Sequence, residues 1–60
     1  MDYPREMVYY RAKHNLTQKE LAVLLKMSRI TVNRIENNKY PKMTNIMKAK
    51  IELLIKGERK

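Results

Sequence analysis

"LTQKELAVLLKMSRITVNRIE", residues 16–36, contains two helix-start signals close together. Thr17 is followed three residues later by Glu20, the spacing of a capping box. In that box a Thr hydroxyl accepts the N–H of the Glu, and the Glu side chain returns the bond. Leu21, Ala22 and Leu25 then fall on one helical face, so the spacing predicts a helix over 18–25. Ala22 is small enough for a crossing helix to approach closely. Ser28 is a second N-cap candidate, and it predicts a helix over 29–37. Val32 and Ile35 face inward there, while Arg29, Ile30, Asn33 and Arg34 are left on other faces. The β-branched residues Ile30, Thr31, Val32 and Ile35 make this a poor isolated helix, so packing must hold it. With only "LKM" between them, the two helices form a helix-turn-helix. Its second helix can enter a major groove with its N-terminal residues at the base edges.

Outward from this stretch, Pro4 suits the first turn of a helix, where its missing N–H costs nothing. Met7 and Tyr10 are three residues apart, and Asn15 tolerates a left-handed closing conformation, so a first helix is expected over 4–14. "NNKYPK", residues 37–42, reads as a loop because of its Asn pair and its Pro. Thr44 can cap a fourth helix over 45–56, with Gly57 expected to stop it. No segment alternates with period two, so no strand is expected. One domain over residues 1–57 and a frayed basic tail over 58–60 complete the expected organisation.

Composition narrows the function classes. The chain has 60 residues and no Cys, so neither a disulfide nor a thiolate metal site supports its small core. The single His14 has no evident nucleophile or metal partner, and there is no Gly-rich phosphate loop. Neither enzyme chemistry, a small-molecule ligand nor a cofactor is therefore expected. "MDYPREM" lacks the apolar stretch of a signal peptide, and no apolar run approaches a membrane span. A cytoplasmic, nucleoid-associated protein, bacterial or phage-encoded, is expected. Lys and Arg total 14 against 6 Asp and Glu, a formal net charge of +8. That excess favours a polyanionic partner.

These residues resemble the phage repressor and Cro type of helix-turn-helix domain, the XRE-like family. The likeness rests on Arg11, "LTQKELA" (16–22), "MSRITVNRIE" (27–36) and "NNKYP" followed by an apolar helix, roughly residues 5–55. It implies an all-α bundle of four or five helices, binding of double-stranded DNA at a palindromic operator, and usually a homodimer. It implies a partly buried ion pair between Arg11 and Glu36, and a phosphate contact from Gln18. It also implies that Ser28, Arg29, Ile30, Asn33 and Arg34 face the groove. Lys26 stands where the family usually has Gly, and a left-handed Lys costs on the order of 1 kcal/mol.

The residues themselves add further expectations. Arg can bond guanine O6 and N7 together, and Asn33 can read adenine. Ile30 has two open readings: burial against the turn, or contact with a thymine methyl. Lys39, Tyr40 and Lys42 are candidates for phosphate contacts that position without specifying. The expected core is Met7, Tyr10, Leu16, Leu21, Leu25, Met27, Val32, Ile35 and Ile46. The fourth helix carries apolar residues over far more than one face, leaving a narrow polar face of Asn45, Lys48, Glu52 and Lys56. Ile51, Leu53, Leu54 and Ile55 are therefore expected in a homodimer seam, with a partner protein as the alternative. The function expected is a transcriptional regulator acting by operator occlusion. The alternative is a protein-interaction module on the same fold, antirepressor- or antitoxin-like.

Overall fold

The computed structural model describes residues 2–58, which form four helices: α1 (Tyr3–His14), α2 (Gln18–Leu25), α3 (Arg29–Glu36) and α4 (Asn45–Glu58). No strand occurs among the described residues. Each start has a side-chain cap. Asp2 accepts the Arg5 N–H at 3.3 Å, which starts α1 one residue earlier than Pro4 suggested. Thr17 and Glu20 form the complete capping box, at 3.1 and 2.9 Å. Ser28 Oγ accepts the Thr31 N–H at 3.1 Å, and Thr44 Oγ1 accepts the Met47 N–H at 3.2 Å.

The first three helices stop in one way. Asn15, Lys26 and Asn38 are left-handed, with φ of 54°, 55° and 57°. In each case the following residue donates its N–H five residues back: Leu16 to Arg11, Met27 to Ala22 and Lys39 to Arg34, at 2.9, 2.9 and 2.8 Å. The left-handed residue itself donates three residues back, to Ala12, Val23 and Ile35 respectively. These are Schellman closures, which satisfy the orphan carbonyls of a helix end. The conformation is the one glycine adopts most easily, yet two Asn and one Lys hold it. At Lys26 the closure turns α2 sharply into Met27 and the Ser28 cap.

The core draws on every helix. Met7, Leu21, Ala22, Leu25, Val32, Ile35, Ile51 and Ile55 are buried. Tyr3, Tyr10, Met27, Tyr40, Met43, Met47 and Leu54 are partly buried against it. Leu16 is half-buried. Three apolar positions of α4 need correction. Ile46, expected in the core, is 70% exposed. Ile51 and Ile55, expected in a dimer seam, are 0% and 4% exposed and belong to the domain's own core. Met47, Ile51 and Ile55 repeat at four-residue spacing and define the inward face; Ile46 lies about 100° round the axis from Met47. Leu54 flanks that face, and Leu53 is 75% exposed.

Glu52 does not stand on an open polar face. It accepts the Tyr3 hydroxyl at 2.6 Å and Lys56 Nζ at 3.2 Å, tying α4 to the start of α1. Nor does Gly57 stop α4, which continues to Glu58. A helical glycine costs only about 1 kcal/mol relative to alanine. The tail expected over 58–60 thus begins inside α4, and Arg59 and Lys60 lie outside the described residues.

Candidate nucleic-acid interface

Burial divides α3 cleanly. Val32 and Ile35 are inside, while Ser28, Arg29, Ile30, Asn33 and Arg34 are exposed. Ser28 caps the helix, and its hydroxyl also bonds that of Thr31 at 2.8 Å. Ile30 is 63% exposed, which excludes its burial against the turn. Arg34 follows Arg29 by five residues, placing it about 140° round the axis and about 7.5 Å along it. The two guanidiniums therefore address different parts of a surface laid against α3. Gln18, Arg29, Ile30 and Asn33 line a recess of about 260 Å³ between the start of α2 and the outer face of α3.

Beneath this surface runs an ordered chain of polar side chains. Arg11 on α1 clasps Glu36 at the end of α3, with Nε to Oε2 at 2.7 Å and Nη2 to Oε1 at 2.9 Å. A bidentate, charge-assisted pair of this kind is stronger than a neutral hydrogen bond. The Glu36 side chain is only 4% exposed and that of Arg11 25%. The bond to Glu36 raises the Arg11 pKa above its ordinary value, so the guanidinium stays charged. Arg11 Nη1 also donates to the Leu16 carbonyl at 3.2 Å, bracing the entry to α2. Glu36 Oε1 accepts a further bond, from Gln18 Nε2 at 2.9 Å. Gln18 Oε1 in turn accepts from Asn33 Nδ2 at 3.1 Å. Asn37 Nδ2 donates to the Asn33 carbonyl oxygen at 2.8 Å and to its Oδ1 at 3.2 Å.

Lys39 and Lys42 are exposed in the α3–α4 loop, and the half-buried Tyr40 packs against the core between them. Gln18 is half-buried, with both ends of its amide engaged by protein groups. Its ties to Glu36 and Asn33 escape a reading of local spacing because they join residues 18 and 15 positions apart. The Asn33–Asn37 contact is an i,i+4 pair, and helical geometry alone could have found it. His14 stacks obliquely on Tyr10, with ring centres 4.4 Å apart. Among the described residues no group of His, Asp or Glu is arranged to hold a metal ion. Among the same residues no helix is long and apolar enough to cross a membrane.

Two crossed short helices, a left-handed turn between them and an exposed basic face on the second define a helix-turn-helix domain. The helix-turn-helix family matches residues 8–49, and the chain belongs to that family. Among curated proteins, an uncharacterized HTH-type transcriptional regulator of Methanocaldococcus jannaschii is 54% identical over 35 residues, covering 58% of this chain and 53% of that protein. The chain thus spans about half the length of the curated relative it matches. No solved structure matches the chain.

Proposed function

We propose that this domain is a DNA-binding transcriptional regulator that lays α3 in the major groove of duplex DNA. The observation carrying this reading is the outer face of α3. Arg29, Ile30, Asn33 and Arg34 are all exposed on a helix whose other side is locked in the core. On a chain of net charge +8, such a face suits base edges flanked by phosphates. Arg29, at the N-terminal tip, reaches deepest. Ser28 and Asn33 lie on the same approach, and Arg34 meets a neighbouring base pair or a phosphate. Lys39, Tyr40, Lys42 and the second amide proton of Gln18 contact the backbone, which fixes register without reading sequence.

The domain acts as a homodimer on a palindromic operator, and the bound dimer occludes polymerase. What supports dimerisation is the outer stripe of α4, where Ile46, Ala49 and Leu53 are exposed at helical spacing. An isologous contact would use that stripe from both copies. The same stripe also favours a second reading, a protein-interaction module docked through α4.

Selection of bound sequences from a random duplex pool tests the proposal. The expected product is a palindromic motif with half-sites about one helical turn apart. Affinity for random DNA should fall steeply with salt, by about 0.9 in log–log slope for each phosphate neutralised. No enriched motif together with a flat salt slope would overturn DNA binding and leave the interaction module.

A further inference from the structure

The recess between α2 and α3 is lined by two amides whose direction is set from beneath. An Asn or Gln side chain can present either its oxygen or its nitrogen to a neighbour, and the network decides which. Glu36 is the group that removes the choice. Both its oxygens accept from Arg11, and a carboxylate held by a guanidinium only accepts. Gln18 must therefore turn its nitrogen toward Glu36, as the 2.9 Å contact records. Its oxygen then points the other way and accepts an amide proton of Asn33 at 3.1 Å. Asn33 Oδ1 already accepts one bond, from Asn37 at 3.2 Å.

The inventory of Asn33 follows. An Asn amide has two protons and two acceptor positions. One proton is committed to Gln18 and one acceptor position to Asn37, so one of each remains. Adenine offers the complementary pair in the major groove, an N7 acceptor and an N6 donor, whereas guanine offers two acceptors, N7 and O6. Ile30 lies three residues before Asn33 on the same helical surface and lines the same recess. It is the apolar neighbour that suits the methyl of the thymine paired with that adenine.

We propose that Gln18 is a positioning residue for base reading: held by Glu36, it commits one amide proton of Asn33 and makes Asn33 selective for adenine in an A·T pair. This rests on the DNA-binding reading above. It gives the Arg11–Glu36 pair a role beyond joining α1 to α3, because the pair sets the direction of the whole chain. Without Gln18, Asn33 regains its second proton and can turn both toward the two acceptors of guanine.

The test uses Gln18→Ala, which leaves Arg11 and Glu36 in place. Nuclear magnetic resonance of the free protein should show Asn33 in one side-chain rotamer, with averaging in the variant. An Asn33 already averaged in the unaltered protein would overturn the proposal whatever the protein does with DNA. Selection from a random duplex pool is the second measurement. The base pair read by Asn33 is the one whose preference disappears in Asn33→Ala. There the unaltered protein should prefer adenine to guanine on the order of tenfold, falling to about threefold or less in Gln18→Ala. Preferences at the other positions should persist. Uniform weakening with the adenine preference intact would make Gln18 a backbone contact alone and overturn the positioning role. If the unaltered protein enriches no motif, the DNA-binding reading fails and this proposal with it. The resonance result still shows whether the amide chain exists.

Discussion

The α2–α3 unit and α4 are both amphipathic, but they are secured differently. α2 and α3 are bounded by bonds that span three to five residues, a cap at each start and a Schellman closure at each end, in addition to their core residues and the Arg11–Glu36 clasp. α4 has a Thr44 cap at its start and is held by distant partners, Ile51 and Ile55 in the shared core and Glu52 on Tyr3. The contrast shows how a small domain can keep a free surface. Where a helix is defined by its ends, its outer face can carry Arg29, Ile30, Asn33 and Arg34 without folding depending on them. Where a helix is defined by its face, each position is committed or exposed according to packing alone.

The largest expected effect tests that commitment within α4. Ile51→Ala removes a fully buried side chain and should cost about 3 kcal/mol or more, a large part of the stability of so small a domain. Leu53→Ala, two residues away but 75% exposed, should leave the denaturant melt of the monomer almost unchanged. A comparable loss at Leu53 that grows with protein concentration would show a dimer seam stabilising the fold. The same loss independent of concentration would break the distinction between the two faces.

Next comes the joint between α1 and α3. Glu36→Ala strands Arg11 and removes the partner of Gln18. Because Arg11 keeps a quarter of its side chain in water, the loss should be roughly 2–3 kcal/mol, at or below the low end for buried pairs. Thermal or urea melts beside Glu52→Ala check it, and the Glu52 variant should lose less. Equal losses would mean that the α4 tie matters as much as the clasp.

Lys26→Gly should change stability by about 1 kcal/mol or less, toward a gain. Glycine relieves the left-handed strain at φ 55° but adds freedom to the unfolded chain. A clear loss in the melt would mean that the Lys26 side chain contributes contacts beyond its backbone.

The smallest effect is a pH dependence confined to the α1–α4 tie. The Tyr3 hydroxyl holds the Glu52 carboxyl below its usual range, with Lys56 adding to the effect. The bond to Glu52 in turn raises the Tyr3 phenol. A depressed carboxyl contributes stability above its unfolded pKa, and that contribution is lost as pH falls through the folded value. A raised phenol contributes below its unfolded pKa, and its contribution is lost as pH rises through the folded value. The tie should therefore weaken at both extremes. Tyr3→Phe should flatten the melting temperature against pH at the acid and alkaline ends; unchanged profiles would mean that the bond adds nothing in solution.

The two regions were also unequally legible in the amino-acid sequence. Thr17, Glu20 and Ser28 announce the helix-turn-helix because a cap and its partner lie within one turn. Asn15, Lys26 and Asn38 could be read as left-handed stops by the same local logic. Asp2 was readable too, standing just ahead of Pro4, although Pro4 alone suggested a slightly later start. The α4 faces were not readable. Apolar residues occur at so many of its positions that periodicity selects no inward direction, and only the helices around it settle that Ile51 and Ile55 go in while Ile46 stays out. The same limit hid the chain from Glu36 through Gln18 to Asn33, which depends on how α2 crosses α3. Family resemblance supplied the Arg11–Glu36 pair, but it gave no direction to the amides above it.

The Tyr3–Glu52 bond joins residues 49 positions apart, whereas the closure between α2 and α3 is made within a few residues. Local contacts close small loops and form quickly; distant ones must first gather a long stretch of chain. On this basis α2 and α3 are expected to assemble early, and α4 to dock against α1 late. Contacts made after the transition state govern how fast the native state opens rather than how fast it forms. The tie between the two outer helices should therefore act mainly on the lifetime of the folded domain, while the speed of folding is set in α2 and α3.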